Sequence, residues 1–331
     1  MIDRYARQTV LPEIGSEGQE RLSRARVVVI GAGGLGCPVL SYLVGAGVGT
    51  LVVVDPDTVE LSNLHRQPLY QETHVGIAKA VAAQEILAGL NTDVAVYAHV
   101  EQFDVGNAQR LFDSASLVVD CADSFAATYT ASDYCHEAGI PLVSASALSR
   151  NGYAGGFCGG APSIRAVFPD LPSNLATCAT AGVMGPVVGI LGALQAQMAL
   201  CILLEAEPSP LGQLVSFDGN TFNFNRFRFD GAPEPETGAY PFISVHQISD
   251  ADNVIELRSV AEAIHPFVET AQRFTAQDFM KAGSPFLPSD RRTVFVCRSG
   301  LRAWQAARNL NRWWDGPIAL VAAGTQHGEI K

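Results

Sequence analysis

Residues 26–47 read RVVVIGAGGLGCPVLSYLVGAG: the apolar run VVVI behind Arg26, a turn holding Gly31, Gly33, Gly34 and Gly36, then a helical pattern. A short run that is apolar on both faces predicts a strand covered on both sides. Glycines between such a strand and a helix allow a tight turn and let backbone approach a phosphate, which the unpaired N–H groups of the helix start can receive. Short apolar runs recur at LVVVD (51–55), LVVDC (117–121) and IPLVSAS (140–146), with helical stretches such as GIAKAVAAQEILAGL (76–90) between them. Strand and helix alternating at this spacing call for a mostly parallel sheet with helices on both faces.

The first part of the chain is therefore expected to be α/β, with a Rossmann-like sheet. From about residue 211 the pattern changes: QLVSFDG and TFNFNRFRF alternate apolar and polar residues, which predicts an antiparallel extension of that sheet. The segment 230–241, DGAPEPETGAYP, is rich in Pro, Gly and acids and reads as a linker. Beyond it NVIEL, TVFVC and IALVAAG read as strands, AQDFM as part of a helix and LRAWQAARNLNRWW as a helix. These features divide the chain into residues 1–229, the linker 230–241 and a small α/β domain at 242–331.

A net charge of −11 argues against a nucleic-acid partner or an anionic membrane. Seven cysteines without a CxxC, and a start (MIDRYARQ) lacking an apolar targeting stretch, point to a reducing cytoplasm. Residues 182–204 carry no charge and are long enough to cross a bilayer, but their small residues, Pro186 and two Gln predict a helix buried between layers or subunits.

Asp55 ends the second strand, where an acid can accept ribose hydroxyls; with the glycine turn alone, NAD or FAD would fit. The residues that follow favour a triphosphate. Arg66 and Lys79 can neutralise phosphates, and Asn63 can orient one through its amide. Asp123 follows the strand LVVDC at the carboxyl edge of the sheet, where its carboxylate suits Mg²⁺ shared with phosphate.

RYARQ, GAGGLG, DPDTVELSNLHRQ, VGIAK, DCADS and TCATAGVMGPVVG together resemble the adenylyltransferases that activate ubiquitin-like sulfur carriers. This is the ThiF/MoeB/HesA family, more distantly similar to ubiquitin-activating enzymes. The resemblance implies ATP- and Mg²⁺-dependent adenylation of a carrier ending in Gly-Gly. Asp55 would hold the ribose, Asn63, Arg66 and Lys79 the phosphates, and Asp123 the metal. Arg7 would reach the phosphates of a neighbouring subunit, implying a homodimer. Cys178 matches a cysteine that some relatives use to hold the activated carrier. Two features depart from the family pattern. Ser124 and Thr128 stand where Asn and Arg are common, and the CxxC pairs that bind zinc in many relatives are missing from GGAPSIRAVFPDLP and DGAPEPETG, so no structural zinc is expected. Cys135 and Cys158 read as small buried hydrophobes.

Cys297 ends the strand TVFVC and precedes Arg298, Ser299, Gly300, Leu301 and Arg302. Backbone N–H groups, a helix start and two Arg around a thiol favour thiolate and persulfide anion. CRSGLRA resembles the active loop of rhodanese-type sulfurtransferases, although ELRSVAEA departs from that family's usual Asp-x-Arg. The combined expectation is an enzyme that adenylates a carrier and passes sulfur to it from Cys297, with a cysteine desulfurase or thiosulfate as donor. Adenylation of a peptide or small carboxylic acid, a non-catalytic docking scaffold and an NAD oxidoreductase are the alternatives.

Overall fold

The computed structural model describes residues 4–171, 182–235, 240–281, 283, 285 and 287–324; Cys178 lies outside them. Strands β1 (Arg26–Ile30), β2 (Thr50–Val54), β3 (Ala95–His99), β4 (Leu117–Asp120), β5 (Pro141–Leu148), β6 (Asn151–Cys158), β7 (Gln213–Asp218) and β8 (Asn223–Arg228) form one sheet. Their order is 3-2-1-4-5-6-7-8. The first five are parallel, and β6, β7 and β8 are added antiparallel. Both expected halves of the sheet are thus present. Two strands, β3 and β6, carry no clear sequence signal. One is a half-exposed edge and the other, NGYAGGFC, is broken by three glycines, so neither has the apolar density that marks β1 or β2.

The helices described before the second sheet are α1 (Ala6–Thr9), α2 (Gly15–Arg24), α3 (Gly36–Gly45), α4 (Lys79–Leu90), α5 (Val105–Phe112), α6 (Phe125–Ala138), α7 (Ile164–Val167) and α8 (Gly185–Leu203). Asp104 caps α5 by accepting from Gly106 N, and Gly139 closes α6 in the left-handed conformation. The helix α8 is the one described helix long and apolar enough to cross a membrane. Val187, Val188, Leu191, Ala196, Met198 and Ala199 on it are buried, and Val187, Val188, Leu191, Met198 and Ala199 share a hydrophobic cluster with β1, β2 and α3. Its buried Gln195 donates to Asp120 O (2.8 Å) and accepts from the Cys121 thiol (3.5 Å), which satisfies the only amide that this apolar face brings inside.

The second sheet is parallel, ordered β10-β9-β11-β12, from β9 (Asn253–Glu256), β10 (Gln272–Arg273), β11 (Thr293–Cys297) and β12 (Ile318–Ala322). Helix α9 (Leu301–Leu310) follows Cys297. AQDFM, expected as part of a helix, is a 3₁₀ turn at Ala276–Met280 started by a Thr275–Asp278 capping box. One hydrophobic cluster runs through both sheets, joining Val28, Tyr129 and Phe157 to Phe242, Phe295 and Trp304.

Candidate active site

At the turn after β1, Gly31 has φ +93°, and a Cβ there would lie 2.7 Å from Cys121 O, just past neighbouring β4. A Cβ on Gly36 would run into Gly31 O, so the helix starts in direct contact with its own turn. The start of α3 has no side-chain cap; Cys37 N donates to Gly33 O within the turn (2.9 Å) and Pro38 has no N–H, so a ligand would be met by the N–H groups ahead of Cys37. The space beside Gly33 is open but for Gln67 Nε2, 3.6 Å from where a Cβ would be.

Asp55, just past β2, is buried and accepts from Ala32 N and Asp57 N (2.8 Å each), so it fixes the glycine turn as well as facing it. Burial raises its carboxyl pKa, against the pull of Lys79 and the two N–H donors. Lys79 opens α4 with its side chain 8% exposed and pairs with Asp57 Oδ2 at 2.9 Å. Burial alone would lower the Lys79 pKa; Asp55, Asp57 and Asp123 outweigh it and hold the ammonium charged. Asn63 accepts from Arg66 (2.8 Å) and Gln67 (3.3 Å) through Oδ1, and donates to Glu60. The structure therefore brings Asp55, Lys79 and Asp123 into electrostatic range around the turn and couples Asn63 to Arg66.

Three further groups belong to this site. Asp57 is the counterion of Lys79, legible as the second acid of DPD. Gln67 is buried, and its Oε1 has no hydrogen-bond partner among the described residues. Asp120, at the end of β4, is fully buried and accepts from Ala122 N (3.1 Å), Thr128 Oγ1 (2.8 Å) and Ser144 Oγ (2.7 Å). Thr128 thus anchors Asp120, which shapes the turn carrying the exposed Asp123. An open glycine turn, an uncapped helix start, a buried cation and an unpartnered amide oxygen fit the phosphates and sugar of a nucleoside triphosphate.

Arg7 is not brought to this turn. It lies exposed on α1, whose Gln8 donates to Ala46 O at the far end of α3, a helix about 15 Å long by its ten residues.

Cys297 ends β11 and accepts from Ala303 N at 3.4 Å, with Ser299 and Gly300 N–H groups also turned toward it. Gly300, φ +85°, supplies the left-handed residue that lets the loop curl round the sulfur before α9 begins. The expectation of a favoured thiolate needs correction: Cys297 is completely buried, and burial raises its pKa more than Ala303, Arg302 and the loop N–H groups lower it. Arg302 also pairs bidentately with Glu262 (2.7 Å each) and donates to Leu257 O, while Arg298 is exposed. Glu256, in place of the usual Asp, is fully buried and accepts from Arg258 (2.7 and 2.9 Å). Cys135 and Cys158 are buried, and burial pushes the Cys158 thiol up to about 12.

The two stretches that lack zinc cysteines do meet. Ser163 N and Oγ donate to the two carboxylate oxygens of Glu234 (2.7 and 2.5 Å), and Ser163 Oγ caps α7. Hydroxyl, amide and one carboxylate are not a thiolate site for zinc.

A glycine turn at the carboxyl edge of a parallel sheet, a buried lysine among three acids, and a cysteine cradle on a second sheet define a nucleotide-binding α/β protein carrying a thiol module. The chain belongs to the ThiF family, which matches residues 5–239. It is similar to the "Adenylyltransferase and sulfurtransferase MOCS3" of Culex quinquefasciatus, 36% identical over 282 residues, covering 84% of this chain and 64% of that protein. It is also similar to the "SAMP-activating enzyme E1" of Haloferax volcanii, 39% identical over 235 residues, covering 70% of this chain and 87% of that protein. The chain spans about half to two thirds of the length of the MOCS3 proteins that it matches. Among solved structures, Escherichia coli MccB with ATP superposes with a TM-score of 0.62 at 22% identity, over 70% of this chain and 72% of that one, a likeness of fold.

Proposed function

We propose that this protein adenylates the C-terminal glycine of a ubiquitin-like sulfur carrier with ATP, and that Cys297 then supplies sulfur to make the thiocarboxylate. The observation that carries the reading is Lys79, buried and charged among Asp55, Asp57 and Asp123 beside an open glycine turn. In support, the similarity to the MOCS3 protein extends past the ThiF-matched residues into the thiol module.

The carrier carboxylate is already ionised at neutral pH, so no protein base is needed. Its oxygen attacks the α-phosphorus; the bond to pyrophosphate breaks, and pyrophosphate leaves with the electron pair. Lys79 exchanges Asp57 for phosphate, and Arg66 with Asn63 neutralises and orients the chain. Asp55 holds the ribose. Asp123 would hold Mg²⁺, which neutralises phosphate charge when bound. Arg7, distant from its own site, completes that of a second copy in a homodimer. In the second half a persulfide on Cys297 attacks the glycine carbonyl, and the C–O bond to AMP breaks. A thiol, Cys178 in this reading, then attacks the Cys297 sulfur of the acyl disulfide. That step releases the thiocarboxylate and leaves a cysteine disulfide for an external thiol to reduce. Residues 1–229 are the adenylating part, and 242–331 the sulfur part. The Ser163–Glu234 contact does the tying that zinc does in other family members, so we expect no structural zinc. The cytoplasm, a reducing compartment, suits every step.

Pyrophosphate exchange into ATP tests this. It should require Mg²⁺ and a Gly-Gly-terminated carrier, and Asp123→Ala should abolish it with circular dichroism unchanged. Exchange supported only by a peptide or small acid would favour the alternative substrate, and normal exchange in Asp123→Ala would remove the metal role.

A further inference from the structure

The two sheets face one another by the carboxyl ends of their parallel strands. Gln102, just past β3, donates to Ala322 O at the end of β12 (3.3 Å), and a Cβ on Gly300 of the thiol loop would lie 3.2 Å from Ala126 Cβ in the first turn of α6. Ala126 is three residues from Asp123, so the sulfur loop is docked beside the acid that ends the nucleotide site. Cys297 is nevertheless completely buried in this arrangement. Neither a sulfur donor nor a carrier carbonyl can touch an atom with no exposed surface.

The contact behind the loop is built around a cation. Arg165 of α7 is 6% exposed and pairs bidentately with Asp133 of α6 (2.5 and 2.8 Å). Its guanidinium carbon lies 4.9 Å from the ring centre of Tyr129, on α6, and 5.6 Å from that of Trp304, on α9. The two rings are 5.3 Å apart. Arg165, Asp133 and Tyr129 belong to the first module, and Trp304 alone to the second. The indole Nε1 of the buried Trp304 has no hydrogen-bond partner among the described residues. Apolar side chains of equal volume would hold the modules together at least as well, without burying a charge or an unpaired donor. These polar groups do, however, lower the cost of parting: on separation Arg165 keeps Asp133, and both the guanidinium and the indole N–H regain water. Ser163, two residues before Arg165, is pinned to Glu234, so the cation itself is held in place while Trp304 moves away.

We infer that Arg165 is the latch of a closed state. The docked module seals Cys297, and the thiol is loaded and discharged only when Trp304 leaves the Arg165–Tyr129 seat. Sealing would keep a persulfide from solvent and stray thiols until the modules part. The role in sulfur handling rests on the proposed function, whereas the seal itself does not.

The test uses the whole protein and iodoacetamide, with alkylation of each cysteine followed by mass spectrometry. Cys201 on α8, partly exposed, is the internal reference, and Cys37 and Cys135 report the core. Cys297 in the unaltered protein should react more slowly than Cys201. Arg165→Ala should speed Cys297 by at least about tenfold, the order expected for losing a desolvated cation–π seat, while Cys201 is unchanged. Arg165→Lys, which keeps charge without the planar stack, should fall between. If Arg165→Ala also exposes Cys37 and Cys135, it has unfolded, and Arg308→Ala decides. That substitution removes the exposed contact of α9 with Asp170 (3.5 Å) and leaves the Arg165 seat itself untouched. A faster Cys297 with silent core thiols then supports the latch. An unchanged Cys297 rate in the folded variant, or a Cys297 as reactive as Cys201 from the start, overturns it.

Discussion

Asp120 tests whether burial or hydrogen bonding governs the acid that shapes the turn carrying Asp123. It is fully buried and accepts three hydrogen bonds, from Ala122 N, Thr128 and Ser144; burial still wins, pushing its carboxyl up to about 6. The repulsion of Asp123 adds to the rise. The folded protein therefore binds a proton more tightly at this site than the unfolded chain, and between about pH 4 and pH 6 stability must fall as pH rises. A rise of roughly two pKa units corresponds to about 3 kcal/mol lost across that window, with no further loss above it. Asp120→Asn removes the titration. It can keep all three contacts, because both hydroxyls can turn to accept from the amide. Urea midpoints of the two proteins should be measured from pH 4 to pH 8 and converted with the denaturant slope. Groups that do not interact with Asp120 cancel in the difference, so the unaltered protein should lose about 3 kcal/mol relative to Asp120→Asn between pH 4 and pH 6. A flat difference would mean that the carboxyl is not raised. A difference of opposite sign would mean that the hydrogen bonds outweigh desolvation, and the reasoning would be refuted.

The two halves of the chemistry should separate. Cys297→Ala is expected to retain pyrophosphate exchange and lose persulfide, while Lys79→Ala, stripped of a preorganised charge worth roughly a hundredfold or more in rate, still loads sulfur. Exchange kinetics and mass spectrometry read the two separately. Because Arg7 sits at the opposite end of α3 from the glycine turn, an Arg7→Ala chain mixed with a Lys79→Ala chain should regain activity in mixed dimers. Absence of rescue under demonstrated subunit exchange would count against a shared site.

Local pattern carried much of this protein. RVVVI, LVVVD and LVVD are so apolar that only a sheet covered on both faces accepts them, and the φ of Gly31 and the crowding at Gly36 leave those positions no other residue. Asp55 and Asp123 could be picked out because carboxylates just past buried strands have few structural uses, and Asn63, Arg66 and Lys79 because an amide and two cations follow in the stretch after Asp55. What no local pattern carries is pairing between distant residues. That Lys79 rests on Asp57, that Thr128 serves Asp120, and that Ser163 and Glu234, seventy-one residues apart, close where zinc cysteines are missing, all depend on which loops the sheet order brings together. The same holds for Cys297. Its loop sequence announces a thiolate cradle, because strand, N–H groups and arginines are local. Its burial is a matter of packing around that loop, where Gly300 meets Phe242 and Ala126 and Ala303 N closes on the sulfur. Desolvation depends on everything within several ångströms, so the reactivity of that sulfur was decided by tertiary packing alone.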